Sequence, residues 1–291
     1  MTQLFNKICK VTAWREPTKI GTLDTAFFDK LGNGVEITDQ RMTFNIEKHL
    51  GGEPNKCTIS IFNLNPDSRS NICRKPLHVR VDAGFADTGY RSLFFGDLIF
   101  GASEHKETEI ETKLQIGDGA RAIGFARANR SFKKPVSAYE VLTYAAGTMN
   151  LKLPPEIEQA PELRSALANG ISVKGPTRDV LTRLLAPYNY HWSVQNGKLV
   201  ILRDEEIIAN QAALVNASSG LIGSPQRAAP DKATGRSEVT CEVALWPELT
   251  PGQAVQLESE DISGTFKLIQ ITHVGDTRGD EFKSQLKLVP R

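Results

Sequence analysis

The chain has 291 residues, of which 40% are hydrophobic, and its 35 Lys and Arg nearly balance its 34 Asp and Glu for a formal net charge of +1. These are the proportions of a globular chain able to bury a sizeable core, and they argue against a disordered or fibrous protein. A charge so near zero supplies no global field to concentrate nucleic acid or anionic membrane, which disfavours sequence-specific DNA binding, and at roughly 100–200 residues per domain the length allows two or three domains.

The opening residues MTQLFNKICK lack the apolar run of a secretory signal, and no later stretch approaches the ~20 apolar residues of a membrane-spanning helix. A soluble chain made in the cytosol, with no membrane anchor, is the expectation. The four cysteines, Cys9, Cys57, Cys73 and Cys241, are too few and too scattered for a disulfide framework and read as reduced, mostly buried thiols.

From the start to about residue 125 the dominant signal is period two, which sends successive side chains to opposite faces of a sheet. Met42, Phe44 and Ile46 alternate with Thr43, Asn45 and Glu47; Cys57, Ile59 and Ile61 alternate with Thr58 and Ser60. Leu77, Val79 and Val81 alternate with His78, Arg80 and Asp82, and Ile110, Thr112, Leu114 and Ile116 face away from Glu109, Glu111, Lys113 and Gln115. The stretch 93–100 is nearly continuous in apolar residues and is expected at the centre of a barrel or sandwich. Asn65 followed by Pro66 has helix-start chemistry, giving a short helix to about Cys73.

Between about 126 and 205 the period becomes helical. Ser137-Ala138-Tyr139-Glu140 has capping-box spacing and opens a helix to about Gly147. A second helix starts near Pro176 and Thr177, carries the stripe Val180, Leu181, Leu184 and Leu185, and closes at Pro187. The pair Asn196-Gly197, set between 190–195 and 198–202, is a strong hairpin signal because both residues accept left-handed backbone. The stretch 207–236, rich in Ala, Ser, Gly and Pro, reads as a strand-poor connection. Period two then returns with Val239, Cys241, Val243 and Leu245; Val255 and Leu257; Ile269 and Ile271; and Phe282, Leu286 and Leu288.

Chemistry-bearing patterns are nearly absent. His49, His78, His105, His191 and His273 have neither helical i, i+4 spacing nor a zinc-ligand pattern with cysteine. No Gly-x-Ser-x-Gly elbow occurs, and the adjacent acids Glu205-Glu206 and Glu260-Asp261 read as solvated charge. The segment 117–122, GDGARA, lacks the Gly-Lys-Ser/Thr ending of a phosphate loop and reads as a turn at a strand end; Arg278-Gly279-Asp280 reads as a polar turn before the final strand. One local basic cluster, Arg121, Arg127, Arg130, Lys133 and Lys134 with Phe125 and Phe132 between them, is compatible with a nucleic-acid backbone, and fits better a solvated face or an acidic neighbouring subunit. The sequence therefore assigns no catalytic, cofactor-binding or metal-ligating residue, and no enzymatic activity.

Several phrases, in order, resemble the baseplate or tail-tip hub proteins of tailed bacteriophages, the Mu-like hub and late control protein D family. They are the strand 42–48, MTFNIEK; the segment 54–64, PNKCTISIFNL, before a short helix; 79–85, VRVDAGF; 93–98, LFFGDL; 220–225, GLIGSP; and 273–280, HVGDTRGD. The resemblance spans nearly the whole chain. It implies a mainly β fold with an α/β insertion, in which two tube-like β-barrel domains (1–125 and 206–291, the latter including a linker) flank a small α/β module (126–205). It further implies a homotrimeric ring around a central channel through which DNA passes in transit. The tail-tube or distal-tail protein would lie above this ring and the central spike protein below, with baseplate wedge or neighbouring tail proteins beside it. Some hub proteins are larger and carry added domains; at this length an appended lysozyme or peptidase unit is not expected. The competing readings are a distal-tail or receptor-binding virion protein with a carbohydrate-binding β domain, on the strength of Trp14, Trp192 and Trp246 as sugar platforms, and last a cell-wall hydrolase with dispersed carboxylates.

Overall fold

The computed structural model describes residues 6–15, 34–73, 77–208, 212–230 and 237–291. The first stretch of period-two sequence forms β1 (Lys7–Trp14), β2 (Val35–Ile37), β3 (Met42–His49), β4 (Lys56–Phe62), helix α1 (Pro66–Ile72), β5 (His78–Phe85), β6 (Gly89–Lys106) and β7 (Glu109–Gly117). The strands hydrogen-bond in the order β3-β4-β7-β6-β5-β1-β2, each pair antiparallel. Met42, Phe44, Ile46, Ile59, Ile61, Leu114 and Ile116 enter one core, as their alternation predicts. Asn65 caps α1 by accepting the Ser68 N–H at 2.8 Å.

His78 and Asp82, on the face of β5 that alternation marks as polar, are both buried. The reason is partnership: His78 sits 3.2 Å from Asp97, Asp82 accepts from Arg80 at 2.6 Å, and Trp14 and Phe95 pack around the His78 ring. The run 93–100 is buried at Leu93, Phe94 and Leu98, but Ile99 and Phe100 are exposed. A register shift between Leu98 and Phe100 turns the strand at that point, as a bulge does by inserting one unpaired residue.

The middle segment forms α2 (Ala120–Phe125), β8 (Arg127–Phe132), α3 (Ala138–Thr148), α4 (Pro155–Glu158), α5 (Pro161–Arg164), β9 (Ile171–Pro176), α6 (Thr177–Leu185), β10 (Tyr190–Gln195) and β11 (Lys198–Arg203). The predicted capping box is present: Ser137 N–H donates to Glu140 Oε2 at 2.8 Å, and Glu140 N–H donates to Ser137 Oγ at 3.3 Å. Helices α3 and α6 bury Val141, Leu142 and Ala145 together with Val180, Leu181 and Leu185 in a second core that also takes Trp192 and Val194. The β8–β9 and β10–β11 ribbons stand outside the main sheet. Asn196 (φ 51°) and Gly197 (φ 75°) make the turn between β10 and β11, both in the left-handed region that an Asn-Gly hairpin turn requires.

The third part comprises β12 (Ala213–Val215), β13 (Leu221–Arg227), β14 (Val239–Ala244), β15 (Ala254–Glu258), β16 (Ser263–Asp276) and β17 (Phe282–Pro290). The region expected to be strand-poor thus contains two strands. β13 escapes period-two reading because it is an exposed sheet edge: only Pro225 is buried, and a register shift lies between Ile222 and Gln226. β12 is three residues long and is recognisable only through its parallel pairing with β15. The alternation predicts Ile269 and Ile271 on one face, but a register shift between Leu268 and Gln270 separates them, so Ile269 is only half-buried while Phe266 and Leu268 before the shift, and Ile271 and His273 after it, are buried.

Strand β16 organises the molecule. Its first half pairs with β15, its second half with β3, and β17 lies along nearly all of it. The first and last β units are therefore one sheet, ordered β13-β14-β17-β16-β3-β4-β7-β6-β5-β1-β2. Two cores remain distinct on it, one centred on Ile46, Ile59 and Phe94, the other on Val243, Leu268 and Leu286. The fold is mainly β with an α/β insertion, as expected from the sequence.

Candidate functional site

Groups able to carry catalysis are scattered. Of the histidines, His105 lies exposed on the β6–β7 hairpin, exposed His191 pairs with Asp204 at 3.1 Å, His49 is half-buried, and His273 is sealed inside with Nδ1 2.8 Å from Ser284 Oγ. Among the described residues no three His, Cys, Asp or Glu side chains gather as metal ligands. Cys9, Cys57 and Cys241 are buried free thiols and Cys73 is half-buried; burial pushes Cys9 up to about 12 and Cys241 to about 11. Ser218 and Ser219 sit in a turn capped by Asn216. Arg278-Gly279-Asp280 forms the β16–β17 turn, where Asp276 accepts the Arg278 N–H at 2.9 Å and pairs with Arg41 at 2.9 Å. Trp14 and Trp192 are each only 4% exposed, and the Trp192 indole donates to Thr182 Oγ1 at 2.9 Å.

The most elaborate chemistry lies where the α/β module meets the first β unit. The stretch 117–122 does turn at the end of β7, with Gly119 at φ 62° opening α2. Asp118 in that turn is fully buried, and its carboxylate accepts the N–H groups of Asn196 and Gly197, the latter at 2.8 Å. One side chain thus holds the hairpin turn of the module against the sheet. Beside it, buried Asn55 accepts the His49 N–H at 2.9 Å and donates to Val194 O at 3.0 Å and Gln195 Oε1 at 2.9 Å. Gln195 in turn donates to His49 O at 2.8 Å. Lys48, 1% exposed, completes the group. Burial pushes its ammonium down to about 8, against the pull of Asp118, and burial raises Asp118 to about 6 against its N–H donors and Lys48. Burial holds His273 well below the usual imidazole range. Sequence reading passed over this junction because Asp118 lies 78 and 79 residues from the two N–H groups it accepts; the only local sign was an aspartate between two glycines.

Assembly surfaces are of two kinds. Strands β2 and β13 end the sheet path, and such edges carry unpaired backbone groups that invite another strand unless blocked. The predicted basic cluster is a surface: Arg121, Arg127, Arg130, Lys133 and Lys134 are all exposed and make no ion pair among the described residues. Phe125 between them is 80% exposed, while the Arg130 guanidinium stacks 4.9 Å from the Phe132 ring centre and 5.3 Å from that of Tyr144.

No protein-family model and no curated protein matches the sequence. Solved structures share its fold. The 43 kDa tail protein of prophage MuSo2 from Shewanella oneidensis superposes over 98% of this chain and 96% of its own length, with a TM-score of 0.66 at 9% identity. A tail protein from Neisseria meningitidis MC58 does so over 98% and 97%, with a TM-score of 0.64 at 11% identity. The E. coli c3393 protein, a type VI secretion component with structural similarity to T4 bacteriophage tail proteins gp27 and gp5, matches 87% of this chain and 74% of its own, with a TM-score of 0.57 at 10% identity. The chain has the fold of phage tail proteins along nearly its whole length, and the resemblance carried by its short phrases holds at the level of fold.

Proposed function

We propose that the chain is a structural hub of a phage baseplate or tail tip. Three copies close into a ring around a channel, the tail-tube or distal-tail protein sits above, the central spike protein below, and wedge or neighbouring tail proteins attach outside. It is made in the host cytoplasm and works in the virion tail as an assembly part rather than an enzyme. The observation that carries this reading is the fusion of two β units in each chain through β16. Three such chains set six β units around one axis, with α/β modules, bounded near residues 125 and 205, as appendages. A closed ring also uses up sheet edges that would otherwise remain open. A net charge of +1 suits a channel that passes DNA, because each neutralised phosphate would add salt-dependent retention. The carbohydrate-binding alternative loses support from the burial of Trp14 and Trp192.

Quantitative mass spectrometry of purified particles against the tail-tube subunit tests the reading. The expected result is about three copies per particle, together with a solution mass about three times the 32.0 kDa chain. Absence from particles, or a copy number that is no multiple of three, overturns it.

A further inference from the structure

Charge is distributed unevenly along the chain. Residues 119–139 and 165–176, which supply α2, β8 and β9, carry Arg121, Arg127, Arg130, Lys133, Lys134 and Lys174 and no carboxylate. With a net charge of +1 overall, the rest of the chain is net negative. All six cations are exposed, and none forms an ion pair among the described residues. On the outer face of the β8–β9 ribbon Asn129 stands opposite Lys174, and Ser131 Oγ lies 3.0 Å from Ser172 Oγ. Phe125, between Arg121 and Arg127, is 80% exposed. An aromatic set among arginines is the composition of a protein interface rather than of plain solvated surface. Arg130 is already braced against the Phe132 and Tyr144 rings, 4.9 and 5.3 Å away, so its guanidinium loses less freedom on taking a carboxylate.

A complement to this face lies on the same chain, at the other end of β7. The tip of the β6–β7 hairpin carries Glu104, Glu107, Glu109 and Glu111 against one cation, Lys106. Lys106 pairs with Glu111, which also accepts from Ser60 at 2.6 Å, and the ladder sets Glu104 directly opposite Glu111. Like charges so opposed destabilise a sheet until a cation joins them. Glu104 and Glu107 are exposed and have no ion pair among the described residues. β7 runs from this tip to Gly117, where α2 begins and Asp118 pins the module; about 27 Å of strand separates the two ends. A single chain leaves both surfaces uncovered.

On the premise that the chain closes into a ring, we propose that the β8–β9 ribbon docks head to tail on the β6–β7 hairpin of a second copy. Arg127, Arg130 and the Lys133-Lys134 pair take the neighbour's Glu104 and Glu107, and the contact covers Phe125. The two surfaces differ, so each copy offers one of each; such a contact passes from chain to chain and ends in a ring when its rotation closes. Duplex DNA is another anionic partner for a basic face. The unpaired carboxylates of the chain itself, and a channel that must not retain DNA, favour the protein.

Sedimentation velocity of the full chain over a concentration series, at low and high salt, tests the contact. Two charge-reversal sets are compared: Arg127→Glu, Lys133→Glu and Lys134→Glu on the ribbon, and Glu104→Lys and Glu107→Lys on the hairpin. All five positions are exposed, and circular dichroism checks that the variants fold. Each set alone should raise the midpoint concentration of assembly by about tenfold or more at low salt, and the two sets in one chain should return it to within about threefold of wild type. A wild-type trimer indifferent to both sets overturns the proposal, as do losses that the combined chain does not recover; the ring reading survives either result. A wild-type chain that stays monomeric at every concentration overturns both. A ribbon set that abolishes binding of labelled duplex DNA while leaving assembly unchanged assigns the face to nucleic acid and overturns the proposal alone.

Discussion

Asp118 shows what a single residue contributes to the position of the α/β module. Its folded-state pKa is raised from 3.8 to about 6 by burial, so the folded chain holds this proton more tightly than the unfolded one. Its contribution to stability is fully present below about pH 4 and is lost as the pH rises through 6, amounting to about 3 kcal/mol across that window. Asp118→Asn, which cannot ionise, should therefore show the opposite of ordinary acid lability in the comparison. The wild-type chain gains stability relative to the variant between pH 7 and 4 in urea unfolding, and parallel profiles would refute the assignment. Taking the difference cancels His273, whose depressed pKa acts the other way and costs stability below pH 6.5. The thiols obey a simpler rule: under native conditions Cys73 should be alkylated first, with Cys9, Cys57 and Cys241 protected by burial. Mapping the modified peptides checks the order.

At the level of elements, local chemistry and close approach of backbones make different demands. Helix α3 begins where its capping box predicts, and Ser137→Ala should cost about 1 kcal/mol, read as a shift in the unfolding midpoint. A glycine in β6 is under a sterner constraint. A Cβ on Gly96 would stand 2.5 Å from the Gly117 carbonyl oxygen, backbone against backbone. Gly96→Ala should cost about 3 kcal/mol, well beyond the cap variant, and equal losses would contradict the packing described for β6 and β7. The elements that sequence reading found, α3, α6 and the β10–β11 hairpin, are those whose signals lie within a few neighbouring residues. Among those it missed, β12 and β13 owe their strand character to β15 and β14, and β8 and β9 to each other.

For the whole molecule, the consequence of β16 is mechanical coupling. One strand belongs to both β units, so neither can open without exposing backbone groups of the other. Native-state hydrogen exchange should show β3 and β14 amides losing protection together, at the same denaturant concentration, despite their membership in different cores. Separate losses would mean that the sheet is divided in solution. Load passed along a tail axis would cross this shared strand, and coupling of this kind is what the proposed hub would need.

The sequence by itself determined the local choices: which residues alternate inward in β3, β4 and β7, where α1 and α3 are capped, where the chain turns at Asn196-Gly197, and, through ordered short phrases, the kind of fold. These follow from steric and hydrogen-bonding preferences acting over a few residues. The tertiary structure alone decided the phase of β6 and β16 after their bulges, the burial of His78, Lys48 and His273, the clasp of Asp118 on a hairpin far along the chain, and the merging of two β units into one sheet. Each of these is set by a partner brought near only when the chain folds, and period and composition carry no record of which distant strand will supply it.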